Sequence, residues 1–502
     1  MAQTTTTKET LVASWPEAPA TPEVPTGLHI GGVFRDASDG ATSPVIDPAR
    51  NIEVARVAKG TVDDAKAAIE AAEAAFQDPT WRDMDPTKRG KLLLKTADQL
   101  KKRFADVALI ESLQMGKTVR EAQGDVAFVL NTLTYFAGLA DKIQGETIPV
   151  GPGRLDYTLK EPLGVTTHVA PWNYPLLLSV RSVAPALAAG NTVVLKPASW
   201  TPLSCLMLAE AGQAAGLPPG VLNVVPGPGG AVGNTLVSDR RVESVNFTGS
   251  CAVGQTVMEA AAKTTKRTVL ELGGKSPVVV FEDVDPAKTA KGIGWGIFAN
   301  AGQMCWAGSR LIVHEQVADA VLDGLKGFIA KHRVGPAWSE EARMGPVAHK
   351  DHLESVTGHI ESGKDEGATL FAGGGRITEG PYANGNFVEP TVFTGVTPDM
   401  TIWKEEIFGP VLTVTTFTDE EEAVRLANET TFGLWSGVWT RDLSRAHRVA
   451  GRIEAGMVGI NEGPVTFPQT PFGGYKQSGL GVEQGVAAVD AYTRTKNVMV
   501  RL

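Results

Sequence analysis

The run VTTHVAPWNYPLLLSVRSVAPALAAGNTVVLK, residues 165–196, decides the fold. It opens and closes with short apolar segments rich in β-branched side chains, the second from Thr192 to Lys196, and both read as strands. Between them, residues 175–189 read as a helix that starts on Pro175 and is closed by Gly190-Asn191. Strand, helix and strand in about 30 residues make a βαβ unit, so the two strands lie parallel in a sheet covered on both faces. The rhythm continues. Residues 221–225 read as a strand ending in Pro226-Gly227-Pro228-Gly229-Gly230, and 244–247 as one ending in Thr248-Gly249-Ser250. Ligands of such sheets sit beyond the carboxyl ends of the strands, where Lys196, Gly229, Gly249 and Ser250 all fall.

Working outward, a second α/β unit begins after Glu271. Residues 276–281, 310–314, 411–417 and 457–461 read as its strands, with helices after Asp285-Pro286 and after residue 314. Upstream, Thr61 caps one helix, a second runs from Asp85-Pro86 to Gly116, and a third from about Thr118 to Asp141. These three carry no chemical motif. Residues 154–160 alternate, with Leu155, Tyr157 and Leu159 on one side, and 492–502 alternate again as a candidate partner.

At 502 residues the chain is too long for one simple core. An apolar share of 43% with 21% charged residues is that of a globular protein. The net charge of −9 comes without a Lys/Arg run suited to a nucleic-acid groove. No apolar run approaches the ~18 residues of a membrane span, and the first residues lack the pattern of a signal peptide. Three cysteines, Cys205, Cys251 and Cys305, are too few for a disulfide framework and suit a reducing, cytoplasmic compartment. No His/Cys cluster has metal-ligand spacing, so no metal is expected.

Four motifs carry chemistry. In Gly302-Gln303-Met304-Cys305-Trp306-Ala307-Gly308-Ser309-Arg310 two glycines bracket a thiol, and Arg310 and the turn amides are expected to favour a thiolate. A free Cys is often merely buried, so this motif does not stand alone. Glu271-Leu272-Gly273-Gly274-Lys275, 34 residues upstream, offers a general base. A nucleophile and a base are the minimum set for thioester chemistry. Pro171-Trp172-Asn173-Tyr174-Pro175 holds a side-chain amide between two stiff prolines, suited to an oxyanion. Glu405-Glu406-Ile407-Phe408-Gly409-Pro410-Val411 sets a carboxylate two residues before an aromatic ring.

In this order the four motifs resemble those of the NAD(P)-dependent aldehyde dehydrogenases, from about residue 28 to the C-terminus. The resemblance implies an α/β fold of two parallel-sheet domains plus a small β ribbon that bridges subunits of a homodimer or homotetramer. It divides the chain into a dinucleotide-binding domain (27–143 and 163–274), a catalytic domain (275–478) and bridging segments (144–162 and 479–502). Residues 1–26, rich in Thr, Pro and Ala, are expected to form a disordered tail. Cys305 becomes the nucleophile, Glu271 the base for water, and the Asn173 amide with the Cys305 N–H the oxyanion donors. A coenzyme-A-acylating enzyme would not need Glu271. A cysteine hydrolase would need a His, and none adjoins Cys305 in sequence. A non-catalytic protein would have no use for the three residues together.

The cofactor, NAD or NADP, is expected at Trp172, Lys196, Ser199, Gly229, Gly233, Gly249, Ser250, Val253, Leu272, Glu406 and Phe408. Members of the family often carry Glu three residues after the Lys that matches Lys196; here Ser199 stands there, which would tolerate a 2′-phosphate. Glu483 matches an acid sometimes placed in a proton relay, but the accompanying Lys is replaced by Ser182. For the substrate, Leu178 and Arg181 follow Tyr174 on one helix face. With Trp306, Phe467 and Phe472 they predict an aromatic pocket with one fixed cation. Arg181 argues against a quaternary-amine aldehyde. Succinate-semialdehyde-type enzymes carry a second Arg where this chain has Ala299. The expectation is an aromatic or bulky apolar aldehyde, with a carboxylated semialdehyde as the alternative.

Overall fold

The chain builds two large, mostly parallel sheets, described for residues 10–502 in a computed structural model. In the eight-stranded sheet the strands run in the order Val33–Arg35, Leu28–Ile30, Leu222–Val224, Thr192–Lys196, Val165–Val169, Val242–Thr248, Arg267–Glu271, Gly479–Leu480. The five from Leu222–Val224 to Arg267–Glu271 are parallel, and antiparallel neighbours close both sides. The seven-stranded sheet runs Thr369–Ala372, Thr391–Thr394, Val411–Phe417, Arg310–His314, Pro277–Val280, Trp435–Trp439, Met457–Ile460. Only its first pair is antiparallel. The central strands are buried on both faces, as the near-continuous Val/Ile/Leu runs require.

Caps fix the helices on the sheets. Thr61 and Thr118 each form a capping box with the residue three further on, and Asp85 accepts two first-turn amides. The predicted helix from residue 86 to 116 is two helices, Pro86–Lys102 and Phe104–Met115. The break falls at Arg103, whose guanidinium leaves the helix line to bind Asp106, Glu210 and the Glu23 carbonyl. Helix Pro175–Ala188 packs on Val119–Leu139, with Asn173 in the turn just before it and Arg181 in its second turn.

Arg154–Pro162 pairs antiparallel with Thr493–Arg501 along its whole length, and Thr147–Ile148 adds a third strand. Leu155 and Leu159 stand exposed on this ribbon. The structure departs from the sequence division at two places. Gly479–Leu480 is an edge strand of the eight-stranded sheet rather than part of the ribbon segment. Residues 10–26, expected within a disordered tail, are anchored, while 1–9 of that tail lie outside the described residues. Val12 is buried and its N–H donates to the Val334 carbonyl, while the Val334 N–H donates to the Thr10 carbonyl, and Trp15 sits edge-on to Trp338 and Tyr382 and beside Phe387, with centroids 5.2–6.1 Å away. Aromatic burial outweighs the low-complexity composition. Trp15→Ala should cost about 2 kcal/mol of stability, below the full core value because the ring is half-buried. A urea unfolding curve with an unchanged midpoint would contradict this anchoring.

Candidate active site

The turn carrying Cys305 is held in a conformation few residues tolerate. Asn300, Ala301 and Gly302 have φ of 50°, 53° and 72°, three left-handed residues in succession. The Asn300 side chain supports them by donating to the carbonyls of Asn173 and Gln303, both at 3.2 Å. A Cβ on Gly302 would come 2.0 Å from the Gly409 carbonyl oxygen, and one on Gly274 would come 2.2 Å from that of Cys305. Only glycine lets these backbones meet.

The result is a cavity of about 270 Å³. Cys305, Asn173, Trp172 and Leu178 line it together with Gly249, Ser250, Leu272, Glu406 and Phe408, all expected from sequence. A surface groove of about 500 Å³ over Lys291, Trp295 and Arg343 is larger, but it has no nucleophile. The Asn173 amide donates one hydrogen to the Gln303 carbonyl at 3.0 Å, which fixes the plane of the amide and leaves its second hydrogen for a ligand.

Glu271 ends its strand behind Cys305, fully buried, and neither carboxyl oxygen has a hydrogen-bond partner. Burial holds this carboxyl well above the usual range, the Glu483 charge raises it further, and Arg181 opposes both. Burial also pushes the Cys305 thiol up to about 12, with the Arg181 guanidinium pulling it back. Glu406 accepts the Gly274 N–H at 2.9 Å, and burial raises it to about 7 against the pull of that bond and of Lys275.

The family model for aldehyde dehydrogenases matches residues 34–498. The chain belongs to the aldehyde dehydrogenase family. An aldehyde dehydrogenase of Emericella nidulans is 43% identical over 481 residues, 96% of each chain. An NAD+ complex of aldehyde dehydrogenase from Bacillus cereus superposes with a TM-score of 0.93 at 41% identity, covering 96% of this chain and 97% of that one. Betaine aldehyde dehydrogenase from Staphylococcus aureus in complex with NAD+ gives 0.94 at 36% identity, covering 95% of each.

Other family positions fall outside the cavity wall. Lys196 is buried against Gly233 and donates to the Pro197 carbonyl at 2.9 Å. Ser199 donates to the Gly227 carbonyl at 3.0 Å, and Gly229 has open space around it. Val253 is exposed in the first turns of helix Cys251–Ala262. Trp306 meets Phe472 edge-on at 5.3 Å, while the Tyr174 ring lies under the Lys117 ammonium at 3.8 Å. Phe467 is 52% exposed and pairs with no ring among the described residues, and none of the four expected aromatics, Tyr174, Trp306, Phe467 and Phe472, lines the cavity itself.

Two expectations about cations are overturned. Arg310 does not serve the thiol. It is fully buried, donates to the carbonyls of Lys275, Leu426 and Ala427 at 2.8–3.0 Å, and stacks on Trp403. Arg181 is not a free cation of the substrate pocket either, because Glu483 pairs with it directly and Phe472 covers its face. Sequence reasoning also missed His352, which lines the cavity between Trp172 and Phe408. Its Nε2 donates to the Phe408 carbonyl at 2.8 Å, and burial lowers it to about 4, so it stays neutral. Its sequence neighbours carry no signal for this.

A raised thiol has a direct signature. Alkylation of Cys305 by iodoacetamide in the cofactor-free enzyme should climb steadily from pH 7 to 10, about tenfold per pH unit. Peptide mapping separates it from Cys251. A plateau near pH 8.5 would contradict the burial argument.

Proposed function

We propose that the enzyme oxidises an aldehyde to a carboxylic acid with NAD(P)+, through a thioester on Cys305. The observation that carries this reading is a thiol and a fixed amide on the wall of one cavity, with the partnerless buried carboxylate of Glu271 just behind the Leu272 wall and close enough to Cys305 for its charge to raise the thiol. The Cys305 thiol gives up its proton to water and its sulfur attacks the carbonyl carbon, while the Asn173 amide and the Cys305 N–H stabilise the oxyanion. Such a donor contributes about 3 kcal/mol to the barrier. NAD(P)+, when bound, accepts the hydride that leaves the tetrahedral carbon. Glu271 then takes a proton from water, which hydrolyses the thioester.

The residues present fit the cofactor. Gly249, Ser250, Glu406 and Phe408 form a wall in which a Cβ on Gly273 would strike the Glu406 carboxylate at 2.2 Å. Relatives in this family are solved with NAD+. The uncharged Ser199, close in sequence to Lys196, supports acceptance of NADP as well. Ser199→Glu should raise KM for NADP at least tenfold through repulsion of the 2′-phosphate, with little change for NAD. An unchanged NADP KM would sink this assignment.

For the substrate we favour an aromatic or bulky apolar aldehyde. Leu178 lines the cavity, Trp306 and Phe472 pair nearby, and the charge of Arg181 is spent on Glu483. That spent charge counts against the carboxylated semialdehyde. The exposed Leu155 and Leu159 on the ribbon support assembly with further copies of the chain. Among the described residues no helix is long and apolar enough to cross a membrane.

Absorbance at 340 nm with benzaldehyde-like, ω-carboxy and trimethylammonio aldehydes and both coenzymes tests the substrate class. The neutral aromatic aldehyde should give the highest kcat/KM, and preference for either charged one contradicts the assignment. In Glu271→Gln, mixed rapidly with aldehyde and coenzyme, a full NAD(P)H burst should precede a steady state slowed about a hundredfold or more. Loss of the burst would remove Glu271 from the hydrolytic step.

A further inference from the structure

Behind Cys305 lies a charged cluster of which the chemistry above uses only Glu271. Arg181, Glu483 and Glu271 are 2%, 2% and 1% exposed. The backbones of Phe472 and Glu483 are clamped by reciprocal hydrogen bonds of 2.7 and 2.8 Å. This clamp sets both side chains on Arg181. Glu483 pairs with its Nε, and the Phe472 ring lies 4.1 Å from the guanidinium carbon. Asn246 holds the other Glu483 oxygen at 2.7 Å. The Arg181 Nη2 has no hydrogen-bond partner, and neither has either oxygen of Glu271. The titratable groups facing this cluster are Glu271, Glu483, Cys305 and Tyr492, and Tyr492 is held neutral by burial.

We propose that Arg181 is the counter-ion shared by Glu483 and Glu271, a positioning residue that sets the charge state from which Glu271 acts. Charge balance decides which carboxyl keeps its proton. A lone buried carboxylate is costly, and two beside each other with one cation cannot both ionise cheaply. Glu483 holds the direct ion pair and the Asn246 amide, whereas neither oxygen of Glu271 has a partner. Glu271 is left with the proton in the resting enzyme and releases it as pH rises. Arg181 determines where that release falls, and it draws Cys305 toward the thiolate in the same direction. Its guanidinium is committed to the protein, so it does not discriminate among substrates by their charge.

This inference rests on Glu271 being the hydrolytic base, and the test separates the two. The pH profile of kcat is measured for wild type, Arg181→Leu, Arg181→Lys and Glu483→Gln with a neutral aromatic and an ω-carboxy aldehyde. In Arg181→Leu the acid limb should move up by about one pH unit or more, a tenfold loss at a fixed pH on that limb, equally for both aldehydes. Arg181→Lys should bring the limb back toward wild type. Glu483→Gln removes the competing anion, so its limb should move down. That variant keeps the proposal testable should Arg181→Leu fail to fold. Alkylation of Cys305 needs no turnover and should slow severalfold in Arg181→Leu. A loss confined to the ω-carboxy aldehyde would make Arg181 a substrate cation and overturn the proposal. So would equal losses at every pH with no movement of the limb, or a Glu483→Gln limb that stays or rises. If the wild type forms no acyl-enzyme while its alkylation still responds to Arg181, the hydrolytic reading fails and the electrostatic one stands.

Discussion

The Cys305 backbone presses on Gly274 so closely that a single methyl group there would collide with it. This contact joins the end of strand Arg267–Glu271, from the eight-stranded sheet, to the turn before Arg310–His314, from the seven-stranded one. Everything chemical depends on it. It sets the thiol in front of the Glu271 carboxylate and beside the Asn173 amide, which come from the other sheet's strand ends. Its cost is stored locally, in three successive left-handed residues and a second close approach of Gly302 to Gly409. Backbone strain of this kind persists only where the surroundings over-determine it. Here Asn300 supplies that determination by bonding Asn173 and Gln303 at once.

The same closure buries the site's charged groups and so raises the energy of every charge in it. A raised thiol, a raised Glu271 and a Glu406 near neutrality have one cause, burial. The chain offsets it sparingly. One guanidinium, Arg181, serves the thiol and two carboxylates, while the equally buried Arg310 serves only backbone carbonyls. A site poised this way holds its reactive groups near their neutral forms until ligands alter the balance.

Much of this was legible because it is local. A βα turn, a capping Thr or a Gly-bracketed Cys announces itself within a few residues, and the parallel sheets follow from the strand–helix rhythm of 165–196. Lining residues such as Trp172, Ser250 and Phe408 were legible through the family resemblance. What escaped depends on distant partners. Nothing near Arg181 tells that Glu483 will neutralise it, and nothing near Arg310 tells that three carbonyls will. His352 enters the cavity through the packing of its helix against Phe408. Trp15 lies in a composition typical of disorder yet finds an aromatic cluster elsewhere in the chain. The break at Arg103 likewise needs Glu23 and Glu210, both outside the helix.

The central claim is that Cys305 carries the acyl group and Glu271 is needed to release it. Acid quenching of Glu271→Gln with a neutral aldehyde and NAD+, followed by mass spectrometry of the peptide containing Cys305, tests it most directly. The account predicts that this peptide gains the mass of the acyl group, and that hydroxylamine removes it. An unmodified Cys305 peptide alongside reduced coenzyme would contradict the account.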